Sequence, residues 1–183
     1  MDYMIYIPEE RKDEIKNIAR SLQWKSLAEI AKDNNIYYAE ANLSEIAEWV
    51  SWFILYDHTK NRFWMLIEKS DHPNRKRFTF AHELWHFFLH ADKLKWNYRI
   101  FIDTEYTKTL FRKTTIDIKE EDKPLEAEAN LFAAELLMPE DVVKKAYHEI
   151  WSVEILSDIF KVSIEAMRIR LSNLNLLKST NEK

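Results

Sequence analysis

The stretch RFTFAHELWHFFLH, Arg77 to His90, places three histidines and one glutamate in a run that is otherwise largely aromatic and aliphatic. Inside it, His82-Glu83-Leu84-Trp85-His86 is an H-E-x-x-H pattern. On a helix, residues four apart are separated by about 400° and roughly 6 Å of rise, so both imidazoles leave the same face. That geometry suits one zinc ion (Zn2+), held at about 2.0–2.1 Å per nitrogen. Glu83, next to the first ligand, can then reach a water as a general base. The competing reading is a pair of hydrogen-bonded core histidines.

Two histidines leave a third protein donor to be found. The chain has no cysteine, so the donor must be histidine or carboxylate. On a continuous helix His90 lies about 12 Å beyond His82 along the axis, too far to share its metal, and it reads as a hydrogen-bonding core or supporting residue. A glycine turn returning a third histidine is excluded, because the chain has no glycine. The apolar run LEAEANLFAAELLM, Leu125 to Met138, offers more. Glu126 and Asn130 share a helix face with Ala129 and Ala133, whereas Glu128 points roughly 160° away from Asn130 and is expected to matter little to a metal. A carboxylate on a core-facing, small-residue side is costly unless a cation neutralises it, which makes Glu126 the candidate third ligand. Asn130, one turn on, is a candidate partner for a ligand's second ring nitrogen. The alternative for Glu126 is a first-turn glutamate favoured by the helix dipole near Pro124.

At 183 residues, with 46% apolar and 14% aromatic content, the chain can bury one sizeable core. Its net charge of −4 gives no global attraction to nucleic acid. Neither a signal-peptide pattern nor a membrane-length apolar window is visible, and a cytoplasmic location is expected. With no glycine and four prolines, turns must rely on Asn, Asp and Ser. After Pro8, the spacing of Ile15, Ile18, Ala19 and Leu22 predicts an amphipathic helix, and Leu27, Ala28, Ile30 and Ala31 predict a short second one. NIYYAEA reads as a strand, and WFILYDHTKNRFWMLIE as a hairpin turning at Asp57 to Asn61. SDHPNRKR reads as a basic loop, with Asn74 to Arg77 a solvated lead-in to the H-E-x-x-H helix. Helices are predicted over Leu125–Met138, ended by Pro139, and from Glu140 to about Ile150.

RFTFAHELWHFFLH followed by EAEANLFAAELLMP closely resembles the two signature segments of the ImmA/IrrE family of zinc metallopeptidases. The match is strong over Arg77 to Pro139 and weaker elsewhere. The resemblance implies an α+β, zincin-like metallopeptidase with a small antiparallel sheet packed by helices, and a gluzincin-like site with His82, His86 and Glu126 as ligands and Glu83 as catalytic base. It also implies a substrate class, a helix-turn-helix repressor encoded nearby. One departure is Trp85, where the family commonly has a small residue, usually glycine. Lying between the ligands, Trp85 is expected to restrict substrate access more than zinc binding.

The closing segment carries two apolar sets, Ile155, Leu156 and Ile159, then Ile164, Met167 and Leu171, around a turn at Lys161 to Ser163 with Ser163 as N-cap. It reads as a helix-turn-helix-like segment over 151–183, following a metallopeptidase domain over 1–150. Arg168 and Arg170 could face phosphate, but basic residues are sparse, and packing or partner recognition is favoured over DNA binding. Tyr98, Tyr106, Tyr147 and His148 are all chemically able to stabilise an oxyanion, and nothing in the sequence selects among them. The functional expectation is a zinc endopeptidase acting on a regulatory protein. The alternatives are a non-catalytic zinc-containing binding protein and a DNA-binding regulator.

Overall fold

The computed structural model describes residues 7–45, 52–96 and 123–177. Pro8 precedes α1 (Glu9–Leu22), where Glu9 and Glu10 sit in the positive first turn and Arg20 in the last. The predicted apolar stripe of α1 is real: Ile15 and Ala19 are fully buried, and Ile18 and Leu22 pack beside them. α2 (Leu27–Asp33) starts at a capping box, in which Ser26 Oγ accepts from the Glu29 amide at 3.2 Å and Glu29 Oε2 accepts from the Ser26 amide at 2.7 Å.

Three strands follow, β1 (Ile36–Ala41), β2 (Trp52–Asp57) and β3 (Arg62–Glu68), in the spatial order β1-β3-β2. The predicted hairpin is the antiparallel pair β2 and β3, with Trp52 opposite Ile67 and Asp57 opposite Arg62. The sheet is not wholly antiparallel as expected, since β1 runs parallel to β3, with Ile36 beside Phe63. Alternation in NIYYAEA fixes which face is buried but not the direction of the neighbouring strand. With β1 on the far side of β3, the ends joined by residues 42–51 lie at the same end of the sheet. Glu68 closes that end, accepting from the amides of Ser44 (2.7 Å) and Ser70 (2.8 Å), and these donors hold its carboxyl near pKa 2.

Ile36, Ile54, Phe63, Met65 and Ile67 make the buried face of the sheet, and α3 (Pro73–Trp96) packs on it through Phe87 against Phe63 and Phe80 against Tyr38. This helix begins earlier than the sequence suggested. Pro73 serves as its first residue, where a missing N–H costs nothing, so the expected basic loop is helical from that point. Nor are its cations merely solvated. Lys76 pairs with Glu40 at 2.8 Å, and Arg77 donates to the Phe160 carbonyl at 2.6 Å.

α4 (Lys123–Leu137) ends before Pro139, and α5 (Glu140–Ile150), α6 (Val153–Phe160) and α7 (Ile164–Asn173) complete the described chain. Ser152 and Ser163 cap α6 and α7 as acceptors from the Ile155 and Ala166 amides. Leu156, Val162, Met167 and Leu171 are buried in the same core as the sheet and α3. Arg170, which the sequence offered as a phosphate contact, is instead interior. It donates to the Met138 carbonyl at 2.9 Å and pairs with the fully buried Glu135. A guanidinium so enclosed cannot reach a nucleic-acid backbone.

Candidate metal centre

α3 carries His82, Glu83 and His86, and α4 packs across it carrying Glu126 and Asn130. The 3.6-residue repeat turns His82 and His86 to one side of α3, with Nε2 atoms 3.1 Å apart. Glu126 enters from α4, its two carboxylate oxygens 3.3 Å from His82 Nε2 and 3.3 Å from His86 Nε2. These three side chains could hold a metal ion. A tetrahedral ion with bonds of about 2.0–2.1 Å would set its ligand atoms roughly 3.3 Å apart; the two Nε2 atoms are close to that separation, and each faces a different oxygen of Glu126 at 3.3 Å.

The chemistry of the donors fits as well. Asn130 Oδ1 lies 3.1 Å from His82 Nδ1, and an amide oxygen can only accept, so the ring proton belongs on Nδ1 and the Nε2 lone pair faces the cluster. Burial lowers the pKa of His82, which keeps the ring neutral as a ligand must be. Burial pushes the Glu126 carboxyl upward, whereas the hydrogen bonds and positive charge that protonated imidazoles supply when no metal is bound bring it to about 2. A neutral His82 beside an ionised Glu126 supplies donors suited to a divalent cation. Neither Glu126 oxygen has a properly formed hydrogen bond among the described residues, although Glu126 is only 4% exposed. An ionised carboxylate in that position requires a cation.

Glu83 is buried beside the cluster, with Oε1 3.9 Å from His82 Nε2. His86 is the most exposed of the three donors, its side chain 17% accessible against 3% for His82 and 5% for Glu126, so the cluster opens toward solvent on its side. His90, one turn beyond His86, is not among the three converging donors. Tyr147 and His148 both lie against Trp151, with ring centroids 5.3 and 6.1 Å away. Tyr98 and Tyr106 fall outside the described residues.

Trp85 does not line the opening. It is 2% exposed, stacks on Phe132 at 5.1 Å and donates from Nε1 to Glu128 Oε2 at 3.2 Å. A residue one position before His86 leaves the helix about 100° round from it, which turns Trp85 into the α3–α4 interface and away from the donors. Glu128 does point away from the metal donors as its helical position predicted, but into Arg11 of α1, which grips it at 2.9 and 2.8 Å. No local pattern could have revealed that partner, which lies 117 residues away in sequence.

Two imidazoles from one turn of α3 and a carboxylate from α4 thus converge where a metal ion could be held. The family model Peptidase_M78, described as the IrrE N-terminal-like domain, matches residues 42–172, and the chain belongs to that family. No match was found among curated proteins. Among the described residues, no helix is long and apolar enough to cross a membrane.

Proposed function

We propose that this chain is a zinc metalloendopeptidase that cleaves one regulatory protein, a helix-turn-helix repressor or antitoxin-type partner encoded nearby, in the cytoplasm. The observation that carries the reading is Glu83, buried next to three converging donors. A purely structural ion has no use for a carboxylate beside its ligands, whereas hydrolysis needs a base there.

In this reading His82, His86 and Glu126 hold zinc, and Asn130 fixes the His82 tautomer through its 3.1 Å contact. The ion's contribution when bound is Lewis acidity toward the scissile carbonyl and the attacking water. Glu83 accepts the proton of that water as its oxygen bonds to the carbonyl carbon. The same carboxyl group returns the proton to the leaving nitrogen as the C–N bond breaks. Substrate approaches from the side of His86, the most open donor. The resemblance to the ImmA/IrrE family supports the substrate class, and the interior position of Trp85 removes the main argument for a blocked, non-catalytic site.

Metal analysis of the purified protein should find about one zinc per chain. Co-incubation with the product of the neighbouring repressor gene should yield discrete fragments. Glu83→Gln should retain zinc and lose at least ~10²-fold in cleavage rate. Zinc and cleavage lost together would assign Glu83 to metal binding, and efficient digestion of casein would refute narrow specificity.

A further inference from the structure

The α3–α4 interface that carries the metal donors on one flank carries a second, independent cluster on the other. Arg11 of α1 grips Glu128 with Nε to Oε1 at 2.9 Å and NH2 to Oε2 at 2.8 Å. Trp85 Nε1 donates to the same Oε2 at 3.2 Å, and the Arg11 guanidinium lies 5.3 Å from the Trp85 ring centroid. The indole stacks on Phe132, one turn further along α4. One carboxylate is thus bound by two helices at once, and the Arg11 and Glu128 side chains are only 29% and 12% exposed.

The positions of these residues relative to the donors give the cluster its significance. Trp85 is the residue before His86, and Glu128 stands two residues after Glu126, roughly 160° round α4. We propose that Arg11, Trp85 and Glu128 are positioning residues that fix the roll of α4 against α3 and so hold Glu126 in register with His82 and His86. The inference rests on the metal reading of those three donors. A side-chain tip about 6 Å from a helix axis moves by about 1 Å for a roll of roughly 10°. That displacement is large beside the observed 3.3 Å contacts of Glu126. Any such roll must also break the fork between Arg11 and Glu128, whose planar geometry tolerates little rotation. The bulk of Trp85, which would otherwise be an obstruction between two ligands, becomes the pivot: its ring contacts both Phe132 and Arg11.

The test is zinc affinity of the full chain, measured by competition with a chromophoric chelator, alongside the melting temperature of the zinc-free protein. Wild type and Glu126→Ala are the controls. Wild type that binds no zinc would overturn the metal reading itself, and this proposal with it. If wild type binds and Glu126→Ala does not, Glu128→Gln decides: it keeps the size of the side chain but loses the charge that aligns the fork. Zinc affinity should fall roughly tenfold or more, in the range seen for residues that support metal ligands. Arg11→Lys keeps the charge without the fork and should weaken zinc by a similar factor while disturbing stability less. Trp85→Phe, which keeps an aromatic ring on Phe132 but loses the N–H and part of the indole's bulk, should weaken zinc less than Glu128→Gln does, because the Arg11 fork on Glu128 remains. Affinities unchanged within about twofold in both Glu128→Gln and Arg11→Lys, with only the melting temperature lowered, would reduce the cluster to ordinary packing and overturn the proposal. Should Glu128→Gln fail to fold, Arg11→Lys alone decides between the two outcomes by the same criterion.

Discussion

Trp85 shows how a helical face argument succeeds and where it stops. The 3.6-residue repeat separates the direction of Trp85 from that of His82 and His86, yet which surface meets the indole depends on α4 and α1. That both helices meet there became visible only with the tertiary structure. The place of Glu126, by contrast, was legible: its core-facing position among alanines and the H-E-x-x-H spacing together pointed to the buried convergence with His82 and His86 that the structure has. The consequence for Trp85 is direct. Trp85→Gly removes a ring that is stacked on Phe132 and hydrogen-bonded to Glu128. Loss of a buried large aromatic costs about 3–5 kcal/mol, and glycine inside a helix adds roughly 1 kcal/mol relative to alanine. Urea unfolding should therefore show a severe loss of stability, with no gain in cleavage rate. A folded variant that cleaves faster would return Trp85 to the cleft.

At the level of elements, the helices were readable wherever the chain supplies punctuation. Pro8 and Pro139 precede α1 and α5, and Ser163 caps α7 through the Ala166 amide. The start of α3 was misplaced even though Pro73 was a usable signal, because the basic residues after it looked like a solvated loop. The direction of β1 carried no local signal at all. A glycine-free chain also hides its left-handed positions, since the residue that normally marks them is missing. Among the described residues Asn35, Asn61, Trp151, Lys161 and Asn175 take positive φ, and only the three asparagines are suited to it. Lys161 ends α6 at φ 53 with an exposed side chain. Relief of the Cβ clash there should make Lys161→Gly more stable by about 1 kcal/mol, partly offset by the greater freedom of glycine in the unfolded chain. The gain should appear as a higher urea midpoint at unchanged slope. A lower midpoint would mean that the lysine stem contributes packing that outweighs the strain.

Across the whole molecule, the metal-bearing helices and the closing pair are parts of one packed structure. Leu156, Val162, Met167 and Leu171 lie in the core that also holds Leu84 and Phe132. Asn74 and Arg77, in the first turns of α3, donate to the carbonyls of Val162 and Phe160. Glu135 on α4 binds Arg170 of α7 and, at 3.2 Å, Arg20 of α1, so one buried carboxylate ties three helices together. Arg170→Ala would leave Glu135 fully buried with only the half-exposed Arg20 to balance it. Removing one partner of a buried ion pair typically costs about 3–5 kcal/mol, more than two neutral groups of the same shape would lose. Because the pair joins elements that share a core, the loss should appear as one cooperative transition at lower denaturant, followed identically by tryptophan fluorescence and by zinc release. Removing residues 152–183 should go further, abolishing cooperative unfolding and zinc retention together. The double variant Arg170→Met/Glu135→Leu should recover much of the stability lost by Arg170→Ala, since the desolvation penalty disappears with the charges. Should the single variant instead melt in two steps, with zinc retained through the first, α6 and α7 would form a separate folding unit and the pair would be a local clasp.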